Sequence, residues 1–321
     1  MTKNIHIEHP EDSILTGDLS VLDAFLLPLI LSLKIDGAPS IVWGRNPESG
    51  LQFVGTKSVF NKKKIIICET PSDIEYHYQY KPALRQILMA CMGYLPITQN
   101  IYQGDFIGFG GAKNYRPNTL TYSFPEKVTE KIIIAPHTKY FAANDLRDAI
   151  AMPLVDQLDS TDDVKYVQHR AYISNGFEGG STGTFTDVCA DLIEYAKNMA
   201  TAVKFVDERT AKKIKIHLNY LIREGKDINP ANFEEFCDSN LIELWDTVRE
   251  IKHLALNACR DTADFQTYIM GDYQPIQGEG YVMITRFGYF KLVNRRAFSY
   301  ANFHNPIQVP LSSSSVILPS P

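Results

Sequence analysis

The sequence predicts an α+β fold in which a mainly helical segment interrupts a strand-rich core. Short β-prone runs separated by Gly, Asn and Pro dominate residues 1–145. Apolar residues at helical spacing dominate residues 146–267, and strand patterns return over 268–303. We therefore expect 1–145 and 268–303 to form one core, 146–267 to form an insert, and 304–321 to be a flexible tail.

The first region is predicted to contain two helices and several short strands. An apolar run predicts one helix from about Val21 to Leu31, and helical spacing predicts a second from Tyr78 to Met92 that stops at Gly93. Runs rich in β-branched and aromatic residues predict strands over 40–44, 51–54, 64–68, 101–109, 120–124 and 131–135.

The insert and the last region are predicted from the same signals. Apolar residues recur at helical spacing from Val188 to Val203 and predict a helix over 186–206. A basic amphipathic pattern predicts a helix over 208–223, and residues 232–258 are typical of one or two more. Two strands are expected over 280–285 and 289–293, joined by a turn at Phe287 and Gly288.

Composition and charge exclude only broad classes of function. The chain has 321 residues, a net charge of −5 and a pI of about 5.9, which argues against a large nucleic-acid footprint but allows a local basic groove. The apolar run over 21–33 contains Asp23 and Pro28, is too short to span a bilayer, and follows acidic residues, unlike a signal peptide. The five cysteines lack C-x-x-C spacing, which predicts reduced thiols in a cytoplasmic protein and no structural zinc site.

The most informative motif is Lys-Ile-Asp-Gly, which starts at Lys34 and is read together with Glu279 and Lys291 near the other end. A lysine amine becomes a nucleophile when desolvation or nearby cations lower its pKa. In an extended segment Asp36 lies on the same face as Lys34, and Gly37 allows the backbone to approach a nucleotide closely. The alternative is a surface turn without a catalytic role.

This arrangement resembles the covalent nucleotidyltransferase superfamily, which includes ATP-dependent DNA and RNA ligases and mRNA capping enzymes. Its members carry a Lys-x-Asp-Gly motif and, later, a Glu-Gly-hydrophobic-Val strand followed by a lysine strand, as over 279–282 and at Lys291. The resemblance covers residues 9–145 and 268–303, and is closest to phage-encoded ligase-like proteins with a Lys-x-Asp-Gly-x-Pro start and a Lys-Leu-Val-x-Arg end. It implies a ligase-type, ATP-grasp-like adenylyltransferase core of antiparallel sheets with flanking helices.

The resemblance also implies a role for each matched residue. Lys34 would attack the α-phosphate of ATP to form lysyl-AMP, with Asp36 beside it. Asp105, where the family usually has Glu, and Glu279 would grip the ribose and hold Mg²⁺ or Mn²⁺. Lys291 would neutralise the α-phosphate and help to depress the pKa of Lys34.

Further residues are candidates for the nucleotide site. Leu33 and Gly37 flank the nucleophile and would line the site. The ring of Tyr122 or Phe124 would stack on the base, although aromatic residues on strands usually face the core. Lys57 would meet a phosphate or the substrate end, or else belong to a solvated basic turn.

Departures from the family leave the acceptor open. Pro39 stands where the first motif usually has Arg, and Val293 or Tyr289 where the last usually has a second lysine. The stretch after Lys291 is too short for the OB-fold domain of DNA ligases and capping enzymes, which favours an RNA ligase. We expect an ATP-dependent, RNA-ligase-like enzyme that joins 5′-phosphate and 3′-hydroxyl ends of nucleic acid. The alternatives are transfer to a non-nucleic-acid acceptor and a catalytically inactive binding module.

Other polar groups show weaker patterns. His6, His9, Glu11 and Asp12 form a cluster that is most simply a solvated N-terminus. His137 follows a predicted strand and either lines the cleft or is a structural histidine. The polar face of the predicted basic helix is either solvated or a contact for nucleic-acid phosphates.

Overall fold

A computed structural model of the chain describes residues 7–26, 30–174, 185–269, 274–296 and 298, so the predicted tail over 304–321 lies outside the described residues. The α-helices are α1 (Pro10–Ser13), α2 (Ser20–Leu26), α3 (Pro71–Tyr78), α4 (Pro82–Tyr94), α5 (Phe185–Ala200), α6 (Glu208–Arg223) and α7 (Ser239–Ala258). The first strands are β1 (Ile30–Leu33), β2 (Ser40–Arg45), β3 (Gln52–Gly55), β4 (Ile101–Phe109), β5 (Asn114–Tyr115), β6 (Leu120–Ser123) and β7 (Ile132–Phe141). The later strands are β8 (Ile150–Pro153), β9 (Val164–Tyr166), β10 (Arg170–Ile173), β11 (Cys259–Asp261), β12 (Gln266–Ile269), β13 (Gly280–Thr285) and β14 (Gly288–Val293).

The strands form three sheets, which gives the α+β fold predicted from the sequence. One sheet has the order β11-β10-β1-β13-β14, and a smaller one has the order β12-β6-β5. The six-stranded sheet has the order β3-β2-β4-β7-β8, with β9 added parallel to β7. Because β1 pairs antiparallel with β13, in the register Leu33 opposite Tyr281, strands from the two ends of the sequence lie side by side.

The helical segment and the core strands overlap in sequence. Helices α5, α6 and α7 lie between residues 185 and 258, inside the range 146–267. Within that same range, however, β8 and β9 pair with β7, and β10 pairs with β1. Residues 150–173 therefore belong to the sheets of the core, and the helices begin only at α5.

Several predicted elements differ from the structure, and one of them, the helix predicted over 186–206, ends at Ala200. The helix predicted to reach Leu31 ends at Leu26, and Ile30 already begins β1. The helix predicted over 78–92 begins only at Pro82, as α4, because a proline disfavours helical backbone in the residue before it, and it runs through Gly93 to Tyr94 instead of stopping at the glycine. The predicted strand over 64–68 is reduced to a bridge between Cys68 and Val54.

The hydrophobic core has two main parts. Buried residues of α2, α5, α6 and α7, among them Trp245, pack with Tyr281 and Leu292 of the five-stranded sheet. Buried residues of α3 and α4 pack on Trp43 and Ile134 of the six-stranded sheet. Each fully buried large apolar side chain contributes about 1.5–3 kcal/mol, so these two layers fix both large sheets.

Two expectations about the whole chain can be compared with the structure. All five cysteines are free thiols, as predicted from their spacing. No helix in the described part of the chain is both long enough and apolar enough to cross a bilayer.

Gly280 is required where β13 meets β14, and Gly280→Ala is expected to destabilise the fold. Its φ is 143°, and a Cβ there would lie 2.1 Å from the carbonyl oxygen of Leu292. We expect the free energy of unfolding in urea to fall by about 2–3 kcal/mol. Gly93→Ala is the control, because an added Cβ meets nothing within 4 Å and the residue is helical. That variant should be about 0.5 kcal/mol more stable than the parent chain, and equal effects at both positions would contradict the account.

Candidate functional site

Residues from both large sheets line one cleft with a volume of about 510 Å³. The five-stranded sheet contributes residues of β1, β13 and β14, and the six-stranded sheet contributes residues of β2, β4, β7 and β8. The predicted site residues that line it are Leu33, Lys34, Asp36, Gly37, Lys57, Asp105 and Lys291. Residues that are far apart in sequence therefore meet at one surface.

Lys34 is held at the point where β1 ends. Its backbone N–H donates to the carbonyl oxygen of Gly280 at 2.8 Å, which extends the pairing of β1 with β13 by one residue. Its Nζ donates to Oε2 of Glu279 and lies 3.4 Å from Oδ1 of Asp36. The Lys34 side chain is only 20% exposed, so its ammonium group is partly buried between two carboxylates.

Asp36 is fixed from behind by residues of β6 and the turn before it. The Tyr122 hydroxyl accepts a hydrogen bond from the Asp36 N–H at 2.9 Å and donates to the Asp36 carbonyl oxygen at 3.0 Å. The side-chain amide of Asn118 donates to Oδ2 of Asp36 at 2.9 Å. The backbone and the carboxylate of Asp36 are thus both held in place, which positions Oδ1 beside Lys34.

Gly37 allows the chain to pack closely against β4, whereas the sequence predicted a close approach to a nucleotide. A Cβ on Gly37 would lie 2.6 Å from the carbonyl oxygen of Phe106 and 2.8 Å from a side-chain carbon of Ile107. The glycine therefore lets the segment after Lys34 pass close to β4. Gly37 also lines the cleft, so the predicted contact with a nucleotide stays a prediction.

Asp105 and His137 form an acid–histidine pair on adjacent strands β4 and β7. Nε2 of His137 lies 3.6 Å from Oδ1 of Asp105, and the Gly37 N–H lies 3.4 Å from Oδ2. Burial would raise the pKa of Asp105, but His137 and the Ser40 hydroxyl beside the carboxylate outweigh burial, and the pKa is lowered. His137 is 40% exposed and lines the cleft, so it is not an inner structural histidine.

Two further lysines face the cleft. Lys291 lies on β14 opposite Val282, and its backbone N–H donates to the carbonyl oxygen of Glu8 at 2.8 Å. Burial, with the nearby charge of Lys34, lowers the pKa of Lys291. Lys57 reaches the cleft from a 3-10 helix (Lys57–Phe60) that is capped by the Thr56 side chain. The cleft thus combines three ammonium groups with the carboxylates around Lys34.

The pKa of Lys34 is shifted in the opposite direction from the one predicted. Burial alone would lower it, but the carboxylates of Glu279 and Asp36 outweigh burial and raise it. The predicted depression of the Lys34 pKa is therefore wrong, because the carboxylates of Glu279 and Asp36 contact Nζ directly. Burial in turn raises the pKa of Glu279, and the Lys34 charge counteracts only part of that.

The predicted stacking rings do not face the cleft. Tyr122 is 2% exposed and Phe124 is 3% exposed, and both pack edge-on or tilted against Phe265 in the core. The stacking prediction is therefore wrong for this arrangement, because alternate residues of β6 share the buried face. Tyr122 serves the site through its hydroxyl group instead.

Several residues that line the cleft were missed from the sequence. Tyr289 lines it from β14, and Ser40, Gln103 and Tyr140, which also line it, form a chain of hydrogen bonds. In that chain the Tyr140 hydroxyl donates to Gln103 at 2.6 Å and the Gln103 amide donates to Ser40 at 2.8 Å. Gln103 precedes Asp105 by two residues on β4, so the two-residue period of a strand was a signal that could have found it.

The acids of the cleft fit a divalent cation only in part. No group of three or more His, Cys, Asp or Glu side chains arranged to hold a metal occurs in the described residues. Mg²⁺ usually keeps several waters and needs only one or two carboxylates together with substrate phosphates. Asp36 and Asp105 line the cleft, and Glu279 contacts Lys34 without lining it, so this donor set suits a cation that arrives with a nucleotide and does not form a closed cage.

The cluster at the N-terminus is buried, contrary to the prediction of a solvated segment. Glu11 is 0% exposed and contacts Lys252, which is also 0% exposed. Asp12 accepts hydrogen bonds from Arg295 and from the Trp245 indole at 2.8 and 2.9 Å. His6 lies outside the described residues. The cluster joins α1 to α7 and to the end of β14.

The fold and the cleft together define an α+β protein with a lysine–carboxylate site lined by two large sheets. The chain belongs to DUF6267, a family of unknown function, whose model matches residues 4–239 and 233–306. No curated protein and no solved structure matches the chain.

Proposed function

We propose that the chain is an ATP-dependent polynucleotide ligase that joins 5′-phosphate and 3′-hydroxyl ends through lysyl-AMP at Lys34. The observation that carries this proposal is the meeting of Lys34, Asp36, Asp105 and Lys291 at one cleft, although they come from both ends of the chain. The cleft volume of about 510 Å³ is within the usual range for sites that bind a small molecule.

In the proposed first step, Nζ of Lys34 attacks the α-phosphorus of ATP. A nitrogen–phosphorus bond forms while the bond to the bridging oxygen breaks, and pyrophosphate leaves with that electron pair. The 5′-phosphate of a polynucleotide then displaces Lys34 and takes the AMP. Finally, a 3′-hydroxyl displaces AMP and forms the phosphodiester bond.

The neighbours of Lys34 suit these steps. The ammonium groups of Lys57 and Lys291 line the same cleft and would stabilise negative charge on phosphate oxygens. Glu279 already accepts a hydrogen bond from Nζ, and burial raises its pKa. Glu279 is therefore the nearest acceptor for the proton that Lys34 must lose before it attacks.

The remaining walls of the cleft suit the rest of the nucleotide. Met152, Pro153 and Val167 form an apolar side that would take the base, in place of the predicted aromatic rings. Asp36, Asp105 and Glu279 would hold Mg²⁺ together with the phosphates, and the cation would supply charge neutralisation at the reacting phosphorus.

An end-joining assay tests the proposed function. The full chain is incubated with ATP and Mg²⁺ and with one of three 5′-phosphorylated substrates: single-stranded RNA, nicked duplex RNA or nicked duplex DNA. We expect a longer, sealed product from at least one substrate on a denaturing gel, with RNA expected first. An AMP adduct on the protein without any sealed product would favour transfer to another acceptor. Neither adduct nor product would contradict the proposal and favour the binding module.

The rate of adenylylation is expected to rise with pH. The attacking amine must be neutral, and Glu279 with Asp36 raises the pKa of Lys34. Below that pKa the neutral fraction grows about tenfold per pH unit, so the logarithm of the single-turnover rate should rise with a slope of about one from pH 7 to pH 9. The measurement is the fraction of chain carrying AMP against time at each pH. A rate that is flat or falls over this range would contradict the assignment of Lys34.

A further inference from the structure

A second pocket, with a volume of about 830 Å³, is lined by none of the residues that line the cleft. It is formed by the end of α6, the middle of α7 and the residues that follow β14. Its titratable lining is mainly basic and consists of Lys226, Arg249, Lys252, His253, Arg295 and Arg296. Asp227 is the carboxylate that lines it among the described residues.

Several cations of this pocket are held in position by neighbouring groups. Lys252 is bound by Glu11 at 2.5 Å, and Arg295 donates to Asn219 at 2.7 Å. Arg296 donates to the carbonyl oxygen of Gly225 at 2.9 Å. These contacts fix the groups in place, and a rigid arrangement of donors binds an anion with little loss of side-chain entropy.

Arg249 supplies the observation that points to a ligand. Its Nε atom is buried and has no hydrogen-bond partner among the described residues, although one terminal nitrogen pairs with Asp246. A buried donor without a partner is rare, and a bound ion or water is one explanation for it. Burial and the charges of Lys252 and Arg249 also lower the pKa of His253, as expected where cations converge.

We propose that this pocket binds a phosphate group, with Arg249 as its central donor and Lys226 and Arg296 at its rim. Arginine side chains bind phosphate oxygens with charge-assisted hydrogen bonds, and cations at the rim suit an extended polyanion. The group comes either from the backbone of a single-stranded nucleic acid or from a free phosphate compound. This inference does not rest on the proposed ligase activity, because the cleft contributes no residue to the pocket.

Two measurements on the folded, full chain distinguish the sources. Calorimetric titration with inorganic phosphate measures free phosphate. Fluorescence anisotropy with a labelled single-stranded RNA, at several salt concentrations, measures the nucleic-acid backbone. The variants are Arg249→Gln and, at the exposed rim, the pair Lys226→Gln and Arg296→Gln. The charge-matched control is the pair Lys127→Gln and Lys204→Gln, which lie on exposed surface elsewhere.

We expect Arg249→Gln to weaken binding of at least one probe by about tenfold or more, while the control pair changes it less than about twofold. If the RNA backbone is the ligand, the two rim substitutions should also make the plot of log affinity for RNA against log salt concentration less steep. The slope should fall by about 0.7 for each phosphate that is no longer neutralised. Weaker phosphate binding with unchanged RNA binding would assign a free phosphate compound. No saturable binding of either probe, or equal losses in the control pair, would overturn the proposal. Because Arg249 also packs on Trp245, the exposed rim pair decides the matter if Arg249→Gln does not fold.

Discussion

Lys34→Ala is expected to abolish the sealing of 5′-phosphate ends and to leave the sealing of pre-adenylylated ends largely intact. Nζ of Lys34 is bonded to the nucleotide only between the first and second steps of the proposed reaction. Supplying RNA whose 5′ end already carries AMP bypasses both steps. We expect the loss with 5′-phosphate ends to be about 10⁴-fold or more, as for the removal of other covalent nucleophiles.

The controls for this prediction separate charge from nucleophilicity. Lys34→Arg keeps a cation between Asp36 and Glu279, but a guanidinium group cannot be deprotonated to attack phosphorus. It should therefore fail with 5′-phosphate ends as completely as the alanine variant does. Sealing of 5′-phosphate ends by Lys34→Arg would show that the lysine acts only as a charge. A parent chain that seals pre-adenylylated ends while neither variant does would point to a structural role.

Glu11→Leu is expected to cause a large loss of stability. Glu11 and Lys252 are both 0% exposed, and their pair is 2.5 Å long. Arg295 lies between Glu11 and Asp12, at 3.2 and 2.8 Å. Removing one partner of a buried pair leaves an uncompensated charge and costs about 3–5 kcal/mol, measured as the free energy of unfolding in urea.

The double variant Glu11→Leu and Lys252→Met is the matched test of that explanation. Replacing both charges with apolar groups removes the unpaired ammonium, so most of the lost stability should return. The pair of Arg295 with Asp12 remains in this variant. Equal stability of the single and double variants would contradict the ion-pair explanation, as would a single variant within about 1 kcal/mol of the parent.

The same cluster predicts how the free energy of unfolding depends on pH. Burial opposes ionisation of Glu11, but Lys252 and Arg295 outweigh it and hold the pKa below its ordinary value of 4.5. A carboxylate with a lowered folded-state pKa stabilises the fold above its unfolded pKa, and that contribution is lost as the pH falls through the folded value. The parent chain should therefore lose more stability below pH 4.5 than the double variant does.

The sequence predicts those helices and strands whose periodic pattern is complete within the element itself. The apolar and basic spacing over Glu208–Arg223 predicted α6 with both ends correct, and the β-rich run Ile101–Phe109 predicted β4 in the same way. The strand Gly280–Thr285 was also found, because its alternating pattern follows a glycine. These elements depend on periodicity, which a sequence displays directly.

Elements that depend on distant partners were not predictable in this way. Strand β1 continues an apolar run that reads as helix, and it is a strand because β10 and β13 pair on both its sides. The burial of Glu11 depends on Lys252 and Arg295, which lie more than two hundred residues away in sequence. The buried face of β6 that hides Tyr122 likewise depends on Phe265.

Part of the candidate site could be predicted, because its motifs are short and follow one another in a fixed order along the sequence. The sequence predicts Lys34, Asp36, Asp105 and Lys291 as site residues, and all four line the cleft. His137 stood between two interpretations, because its role depends on which strand lies beside β7. The protonation of Lys34 could not be foreseen either, since it follows from the side-chain distances to Glu279 and Asp36.

The central claim is that ATP modifies Lys34 covalently, and peptide mapping by tandem mass spectrometry tests it most directly. The chain is incubated with ATP and Mg²⁺, digested under conditions that preserve a phosphoramidate, and compared with the same chain kept without ATP. We expect a mass gain of about 329 Da, one AMP, on the peptide containing Lys34 and on no other lysine. No adduct with ATP, from a chain shown to carry none at the start, or an adduct confined to another residue, would contradict it.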